Sequence, residues 1–230
     1  MSGPRAALLV LAKAPVPGEV KTRLCPPATP AQAARIAAAA FLDTLDAVLA
    51  VPEVTPVVAL TGNLAHAVDA AALTERLRAS TVLAQRGTTL GQRIAAAYAD
   101  TALAVGHRPV LQIGMDTPQV DAALLSQCLD LLDGDGVDAA LGPATDGGWW
   151  VLGLRRPELV DLIADIPTSR PDTGARTMAA LRISGARVVE LPELSDVDTW
   201  EDAAAVAAAV PDGRFAAAVT AAVAALEGRR

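Results

Sequence analysis

Aromatic residues are scarce in this 230-residue chain, since Phe, Trp and Tyr together make up 3% of it. Proteins that bind single-stranded nucleic acid stack bases on aromatic side chains, so the scarcity argues against such a platform. Basic residues are also in the minority: 19 Lys and Arg stand against 26 Asp and Glu, which gives a net charge of −7. Nucleic acid and anionic lipid are both bound by basic surfaces. We therefore expect neither nucleic acid nor a membrane among the partners.

Cysteine and histidine are rarer still. The two cysteines, Cys25 and Cys128, lie far apart and in no metal-binding spacing. This pattern predicts free thiols in a reducing cytoplasm, with a structural disulfide as the alternative. The two histidines, His66 and His107, share no motif. We expect both at the surface and no histidine-based metal site or catalytic triad.

Long apolar runs are missing as well. A membrane-spanning helix needs about 18 consecutive apolar residues, and no run in this sequence reaches that length. The apolar run Ala6–Ala12 near the N-terminus resembles the core of a secretory signal. However, the run is short and Lys13 interrupts the cleavage-like site that follows it. We interpret the segment instead as a first buried strand that enters a loop.

Hydrophobic residues are abundant, at 52% of the chain, and they form alternating strand-like and helix-like segments. We predict strands at residues 8–11, 54–60, 81–84, 110–113, 137–141, 149–154 and 187–191, and helices at residues 30–49, 65–78, 90–105, 121–132, 176–183, 200–209 and 214–227. This alternation predicts an α/β fold with a mostly parallel sheet, formed by residues 1–230 as one domain. The strands at 137–141 and 149–154 are too close for an intervening helix, which predicts an antiparallel or edge arrangement there.

The loop after the first strand concentrates positive charge. It carries Lys13, Lys21 and Arg23, and Gly18 between them permits close approach of the backbone to a ligand. Lysine and arginine side chains at this spacing can neutralise a polyphosphate. The loop matches neither the Walker phosphate loop nor the Gly-x-Gly-x-x-Gly fingerprint. The alternative is a solvated basic loop without a ligand.

A second loop, Gln85–Arg93, places Gly87 and Gly91 before a predicted helix. The N-terminus of a helix suits an anion or a closely packed base. The alternative is an ordinary helix start capped by Thr88 or Thr89.

Carboxylates mark the next two candidate segments. Asp116 follows the most apolar internal strand, where a lone carboxylate can hold Mg²⁺ or Mn²⁺, although it could instead cap the following helix. Asp196 and Asp198 alternate on an extended segment, so both lie on one side of it. Asp198 is therefore a candidate second metal ligand, with capping of the next helix by Asp198 or Thr199 as the alternative.

The segment Asp146-Gly147-Gly148 is followed by two tryptophans. Asp-Gly-Gly is a weak signal by itself because it also makes a hairpin turn. We expect one of Trp149 and Trp150 in the core, while the other stacks on a sugar or a base.

Taken together, the motifs at residues 12–24, 114–118, 142–148 and 196–199 resemble a family of small bacterial glycosyltransferase-A-like proteins. The family includes proteins named for arsenosugar biosynthesis and is related to the molybdenum-cofactor and 2-phospholactate guanylyltransferases. The resemblance runs from about Ala7 to Ala209 and implies a nucleotide-binding three-layer α/β/α sandwich. The chain departs from the family pattern with Trp149-Trp150 after Gly148 and in lacking a tryptophan at residues 166–174. Both departures concern the acceptor side.

The motifs and the resemblance together assign roles to individual residues. Asp116 and Asp198 would hold Mg²⁺ or Mn²⁺, and the expected catalytic residues are Lys21, Asp116 and Asp146. The nucleotide is expected to contact Ala12, Lys13, Gly18, Lys21, Arg23, Gln85, Gly91 and Arg93. The acceptor side is expected to comprise Asp146, Gly147, Gly148 and Trp149.

Three functions are compatible with these residues. The first is glycosyl transfer from a nucleotide sugar to a small acceptor, in which the metal and the basic loop stabilise the departing diphosphate. The second is nucleotidyl transfer from a nucleoside triphosphate to a phosphorylated small molecule, with pyrophosphate as the leaving group. The third is non-catalytic nucleotide binding, against which the retained cations and carboxylates argue. Of these, we favour glycosyl transfer.

Overall fold

A seven-stranded mixed sheet organises residues 3–228, the part of the chain that the computed structural model describes. The strand order is β3-β2-β1-β4-β6-β5-β7. The strands are β1 (Ala6–Lys13), β2 (Val54–Thr61), β3 (Thr81–Ala84), β4 (Val110–Gly114), β5 (Ala139–Pro143), β6 (Trp149–Leu154) and β7 (Val188–Glu190). The first four strands in sequence pair in parallel, as do β5 and β7, whereas β6 runs antiparallel between β4 and β5. The predicted antiparallel arrangement is thus confirmed, but β6 lies inside the sheet and not at its edge.

Helices cover both faces of the sheet. They are α1 (Pro30–Leu49), α2 (Ala70–Leu77), α3 (Leu90–Val105), α4 (Ala122–Leu132), α5 (Thr173–Ile183), α6 (Trp200–Ala209) and α7 (Arg214–Glu227). Successive side chains of a strand point to opposite faces, so a strand covered on both sides is apolar throughout. In β1, Leu8 and Val10 face α1, α2 and α4, while Ala7 and Leu9 face α3 and α5. The predicted three-layer α/β/α sandwich is confirmed.

The last two helices form an additional layer outside α1. Phe215 of α7 is fully buried together with Ile36 of α1 and Val206 of α6. Asp43 of α1 anchors the start of α7, because its carboxylate accepts hydrogen bonds at 2.9 Å from the backbone N–H of Phe215 and from the guanidinium of Arg214. This packing holds the 196–199 segment, which precedes α6, against the body of the fold.

The predicted helix at residues 65–78 is wrong as a continuous element. A short 3-10 helix, Leu64–His66, precedes α2, and Asp69 between them has a left-handed backbone with φ 54°. The helical hydrogen-bond pattern is broken because the N–H of Val68 donates to the carbonyl of Pro15 instead. A further 3-10 helix, Pro157–Leu162, was not predicted from the sequence.

The rare residues lie largely where the sequence predicts. Cys25 and Cys128 are free thiols, the first half-buried and the second buried, and both histidines are exposed. Among residues 3–228, no helix combines the length and the apolar character that crossing a bilayer requires.

Candidate active site

A cavity of about 890 Å³ opens at the carboxyl ends of β1 to β4 and extends to the start of β6. Ligands of open α/β sheets bind beyond the carboxyl ends of the strands. Every one of the five motif segments contributes to the cavity lining, from the basic loop after β1 to the 196–199 segment before α6. The motif segments identified in the sequence therefore converge on one cavity.

The centre of this cavity is an ion cluster around Lys21. The Lys21 ammonium donates hydrogen bonds to Asp116 at 2.6 Å and to Asp198 at 3.0 Å. Its side chain is only 13% exposed, so the alternative of a solvated basic loop does not hold at this residue. Burial acts to lower the pKa of Lys21, but the two adjacent carboxylates outweigh it and the pKa is raised. The group therefore remains a cation between two anions.

The two carboxylates reach Lys21 because their backbones are fixed. A side chain at Gly114 would place its Cβ 2.5 Å from the Asp116 carboxylate, so glycine there leaves room for it. The 196–199 segment is held at the carboxyl end of β4 by a 3.2 Å hydrogen bond from the N–H of Val197 to the Asp116 carbonyl. Asp116 and Asp198 do not cap helices, because the N-caps of α4 and α6 are Asp121 and Thr199.

Further carboxylates surround the ion cluster. Asp146, Asp196 and Asp198 each offer an oxygen within 4.8 Å of the others. Burial, with added repulsion from Asp146, Asp116 and Asp198, raises the pKa of Asp196 to about 6. Hard oxygen donors in such a group fit Mg²⁺ or Mn²⁺. A metal ion bound by both Asp116 and Asp198 must either displace the Lys21 ammonium or share the two carboxylates with it.

The other cations of the predicted site, Lys13, Arg23 and Arg93, line the same cavity. The Lys13 ammonium donates to the carbonyl of Glu19 at 2.7 Å, and Arg23 donates to Asp198 at 3.1 Å while remaining largely exposed. Arg93, in the first turn of α3, donates to the carbonyl of Gly87 at 3.3 Å. Helix α3 itself is capped by Thr89, as one sequence interpretation predicts.

The segment predicted to contact an acceptor forms the turn before β6. One Asp146 oxygen accepts a hydrogen bond from the N–H of Gly148 at 2.7 Å, which shapes the turn and leaves the carboxylate exposed. Trp150 is 3% exposed and its indole N–H donates to the carbonyl of Pro192, whereas Trp149 is half-buried, and both border the cavity. Trp150 is the core tryptophan that the sequence predicts, and stacking of Trp149 on a sugar or a base stays a prediction.

Three predicted glycines are not on the cavity wall. Gly18 is exposed with a positive φ of 82°, and no atom lies within 4 Å of a Cβ placed there. Gly91 is buried against Ala164, whose carbonyl oxygen would lie 2.4 Å from a Cβ. Gly147 packs against Pro171 in the same way, at 2.0 Å. Close packing accounts for the glycines at these two positions, and ligand contact by Gly91 or Gly147 stays a prediction. Ala12 is buried but does reach the lining.

Some cavity residues were missed from the sequence. Gln112 of β4 is 3% exposed, lines the cavity, and its Oε1 has no hydrogen-bond donor within residues 3–228. Ser169 and Arg170 also line the cavity. The sequence around Gln112 is that of an ordinary strand and gives no signal of a site. Ser169 and Arg170 lie in the segment 166–174, where the chain departs from the family pattern.

Solved structures show what this fold is similar to. A protein from Desulfovibrio desulfuricans G20, provisionally named a nucleotide-diphospho-sugar transferase, has 27% sequence identity, a TM-score of 0.80 and coverage of 98% of both chains. A cytidylyltransferase from Leptospira borgpetersenii serovar Hardjo-bovis has 16% identity and a TM-score of 0.54 over 88% of this chain and 85% of its own. A CMP:2-keto-3-deoxy-manno-octonic acid synthetase complexed with CTP has 11% identity and a TM-score of 0.55 over 90% and 98%. No curated protein matches the sequence.

These comparisons define the class of fold as that of the nucleotide-diphospho-sugar transferases, which is glycosyltransferase-A-like. Residues 44–170, more than half of the chain, match the family described as "Uncharacterized protein conserved in bacteria (DUF2064)". The chain belongs to this family. The matched region contains Asp116 and Asp146, whereas Lys21 and Asp198 lie outside it.

Proposed function

We propose that this protein is a nucleotide-dependent transferase that moves a glycosyl group from a nucleotide sugar to a small acceptor. The observation that carries the proposal is the ion cluster at the carboxyl end of the sheet, where Lys21 lies between Asp116 and Asp198. Cations positioned before reaction stabilise a diphosphate whose charge grows as it departs, and they do so more strongly in a partly desolvated cavity than in water.

Asp116 and Asp198 would hold Mg²⁺ or Mn²⁺ through their carboxylate oxygens, and the ion would supply charge neutralisation for the phosphates. The cationic side chains of the protein would contact the phosphate oxygens directly. The Lys21 ammonium lies at the centre of the cluster, and Arg23 presents an exposed guanidinium beside it. A guanidinium can bind phosphate oxygens in two places at once, which fixes the orientation of the nucleotide.

Asp146 is the residue proposed to act on the acceptor. Its exposed carboxylate lines the cavity near Trp149, and one oxygen is held by the N–H of Gly148. The second oxygen is then free to orient an acceptor hydroxyl or to take its proton. Trp149 offers an apolar face on which a sugar ring can pack.

Nucleotidyl transfer is the second candidate. It is favoured by the fold, because the cytidylyltransferase and the synthetase complexed with CTP share this sheet. The same lysine and carboxylates would serve, since phosphoryl transfer depends mainly on positioning and charge neutralisation.

The two reactions are separated by their products. We would first screen nucleotides and nucleotide sugars by thermal shift, with and without Mg²⁺ or Mn²⁺, because a ligand at a hundredfold excess over its Kd stabilises the native state by about 2.7 kcal/mol. Incubation of the best donor with candidate acceptors then releases a nucleoside diphosphate in glycosyl transfer and pyrophosphate in nucleotidyl transfer.

Asp146→Asn tests the role of Asp146 in turnover, because it keeps a side-chain oxygen that can shape the turn but removes the negative charge. We expect normal donor binding and loss of turnover in this variant. Nucleotide binding without turnover of any donor by the unaltered protein would instead indicate a non-catalytic nucleotide-binding protein. Failure of every nucleotide to bind would refute the proposal.

A further inference from the structure

The cavity continues from the carboxyl ends of the strands onto one face of the sheet. Gln112 lines it from within β4, two residues before the strand ends at Gly114, a distance of about 7 Å along an extended chain. Its neighbours Leu111 and Ile113 pack on the α1 and α4 side of the sheet. Because successive side chains of a strand alternate between faces, Gln112 lies on the α3 and α5 side.

Three apolar side chains border the cavity on this same face. Leu11 of β1, Ile94 of α3 and Trp149 of β6 all belong to the hydrophobic packing between the sheet and helices α3 and α5. Together with Gln112 they border the part of the cavity that we call the sheet-face recess. Arg93, next to Ile94, donates its hydrogen bond to the loop before α3. The four residues of the recess carry no charge, and Gln112 is the polar member.

The amide oxygen of Gln112 is buried without a hydrogen bond. The residue is 3% exposed, and its Oε1 has no donor among residues 3–228. A buried polar atom without a partner destabilises the folded protein, and natural structures contain few of them. The terminal torsion of a glutamine is broad, so rotation of the amide can turn its oxygen or its nitrogen toward the cavity. The amide is therefore available to a ligand as an acceptor or as a donor.

Trp149 connects the sheet-face recess with Asp146. It is the first residue of β6 and directly follows Gly148, whose N–H donates to the Asp146 carboxylate at 2.7 Å. A molecule that packs on Trp149 inside the recess lies beside the turn that carries this carboxylate. The recess thus belongs to the end of the cavity where Asp146 is proposed to act on an acceptor hydroxyl.

We infer that the acceptor has an apolar body that occupies the sheet-face recess and an uncharged hydrogen-bonding group, such as a hydroxyl or a carboxamide, that pairs with Gln112. This inference rests on the proposed function, because it assigns the recess to the acceptor. A charged group would lose its hydration between apolar walls without an opposite charge to pair with it. That loss is much more costly than burial of a neutral group that the amide satisfies.

Benzamide, benzoate and benzylamine are suitable probes, because they present the same ring with an uncharged, an anionic and a cationic group near neutral pH. We would titrate each into protein with isotope-labelled isoleucine methyl groups and follow the NMR signals. The signal of Ile94 reports on the recess, and that of Ile183, which is 86% exposed on α5, should not move. We expect benzamide to shift Ile94 and to bind at least about tenfold more tightly than either charged probe.

Gln112→Met removes the amide and keeps an unbranched side chain. We expect a higher midpoint of urea denaturation, because an unpaired buried atom is removed, and at least about tenfold weaker binding of benzamide. Thr101→Val is the matched control. Thr101 is fully buried in α3, its hydroxyl also lacks a partner among the described residues, and it does not line the cavity. This variant should raise the midpoint as well and leave benzamide binding unchanged.

A lower midpoint in Gln112→Met would show that the amide has a structural role. Equal binding of the three probes, an unmoved Ile94 signal, or undiminished benzamide binding in Gln112→Met would show that the recess does not select an uncharged group. Each of these results overturns the inference and leaves the proposed function standing. Calorimetric titration with nucleotides and nucleotide sugars tests the proposed function separately, and absence of binding by all of them refutes it whatever the probes do. A fall in nucleotide affinity in Gln112→Met would assign the recess to the donor and would also overturn the inference.

Discussion

Replacing Lys21 by methionine should change metal binding and nucleotide binding in opposite directions. The substitution keeps the length of the side chain and removes its charge. In the unaltered protein the ammonium lies 2.6 Å from Asp116 and 3.0 Å from Asp198, so a divalent ion must compete with it for both carboxylates. Without the ammonium these carboxylates repel each other, and a metal ion relieves that repulsion.

The size of the effect follows from the exposure of the three groups. Removing one partner of a fully buried ion pair destabilises a protein by about 3–5 kcal/mol. Here the side chains of Asp116 and Asp198 are 31% and 35% exposed, and solvent screens part of the interaction. We therefore expect Lys21→Met to lower the free energy of unfolding by about 1–3 kcal/mol. Mn²⁺ without nucleotide should bind at least about tenfold more tightly, since each tenfold change needs only 1.4 kcal/mol of the relieved repulsion.

Urea denaturation with and without Mn²⁺ measures the first effect, and calorimetric titration with Mn²⁺ and then with nucleotide measures the second. Nucleotide affinity should fall tenfold or more, because a charge-assisted hydrogen bond contributes about 1.5–3 kcal/mol. Lys13→Met is the matched control: its ammonium donates to the carbonyl of Glu19 and not to a carboxylate, so Mn²⁺ affinity should stay as in the unaltered protein. Weaker or unchanged Mn²⁺ binding in Lys21→Met would falsify the view that Lys21 and the metal compete for one place.

Three further predictions concern residues in and outside the cavity. Asp116→Asn should stay folded, since Asp121 caps α4, but should lose metal-dependent donor binding in the same titration; unaltered metal dependence would contradict its assignment as a ligand. Tyr98→Phe should lower the free energy of unfolding in urea by about 1–3 kcal/mol, because the Leu152 carbonyl loses its buried 2.7 Å hydrogen bond. Burial raises the pKa of Tyr98 well above 10, so its phenolate absorbance should appear at high pH only when the fold is lost. Alkylation at pH 8 should modify half-buried Cys25, whereas Cys128, whose pKa burial raises to about 11, should react only in denaturant; mass spectrometry of the digested protein distinguishes them.

The starts of α1 and α3 could be predicted because capping is local chemistry. Thr29 and Thr89 each form a capping box with the glutamine three residues later, and the sequence alone places the starts of α1 and α3 correctly. The strand ends that carry Lys13 and Asp116 were also predictable, since a strand buried on both faces is an apolar run that a polar residue terminates. The convergence of the loops then follows from a parallel sheet.

What the sequence could not reveal depends on partners far away along the chain. Lys21 is 95 residues from Asp116 and 177 from Asp198, so nothing local indicates that it is buried between them. Gly91 was expected to admit a ligand, but the close neighbour that requires glycine there is the backbone of Ala164. The break before α2 has the same origin, because the competing acceptor belongs to Pro15.

The charge of the cavity gives a reason why nucleotide and metal should bind together. Four carboxylates, from Asp116, Asp146, Asp196 and Asp198, lie around two cations, the buried ammonium of Lys21 and the exposed guanidinium of Arg23, so carboxylates outnumber cations at the centre before any ligand arrives. A diphosphate entering alone would be repelled by these groups, and a metal entering alone would have to displace the ammonium. With a metal ion bound at the carboxylates the missing positive charge would be supplied, and the Lys21 ammonium would then be available to contact the phosphate oxygens. Binding of each ligand should therefore strengthen binding of the other by the same factor.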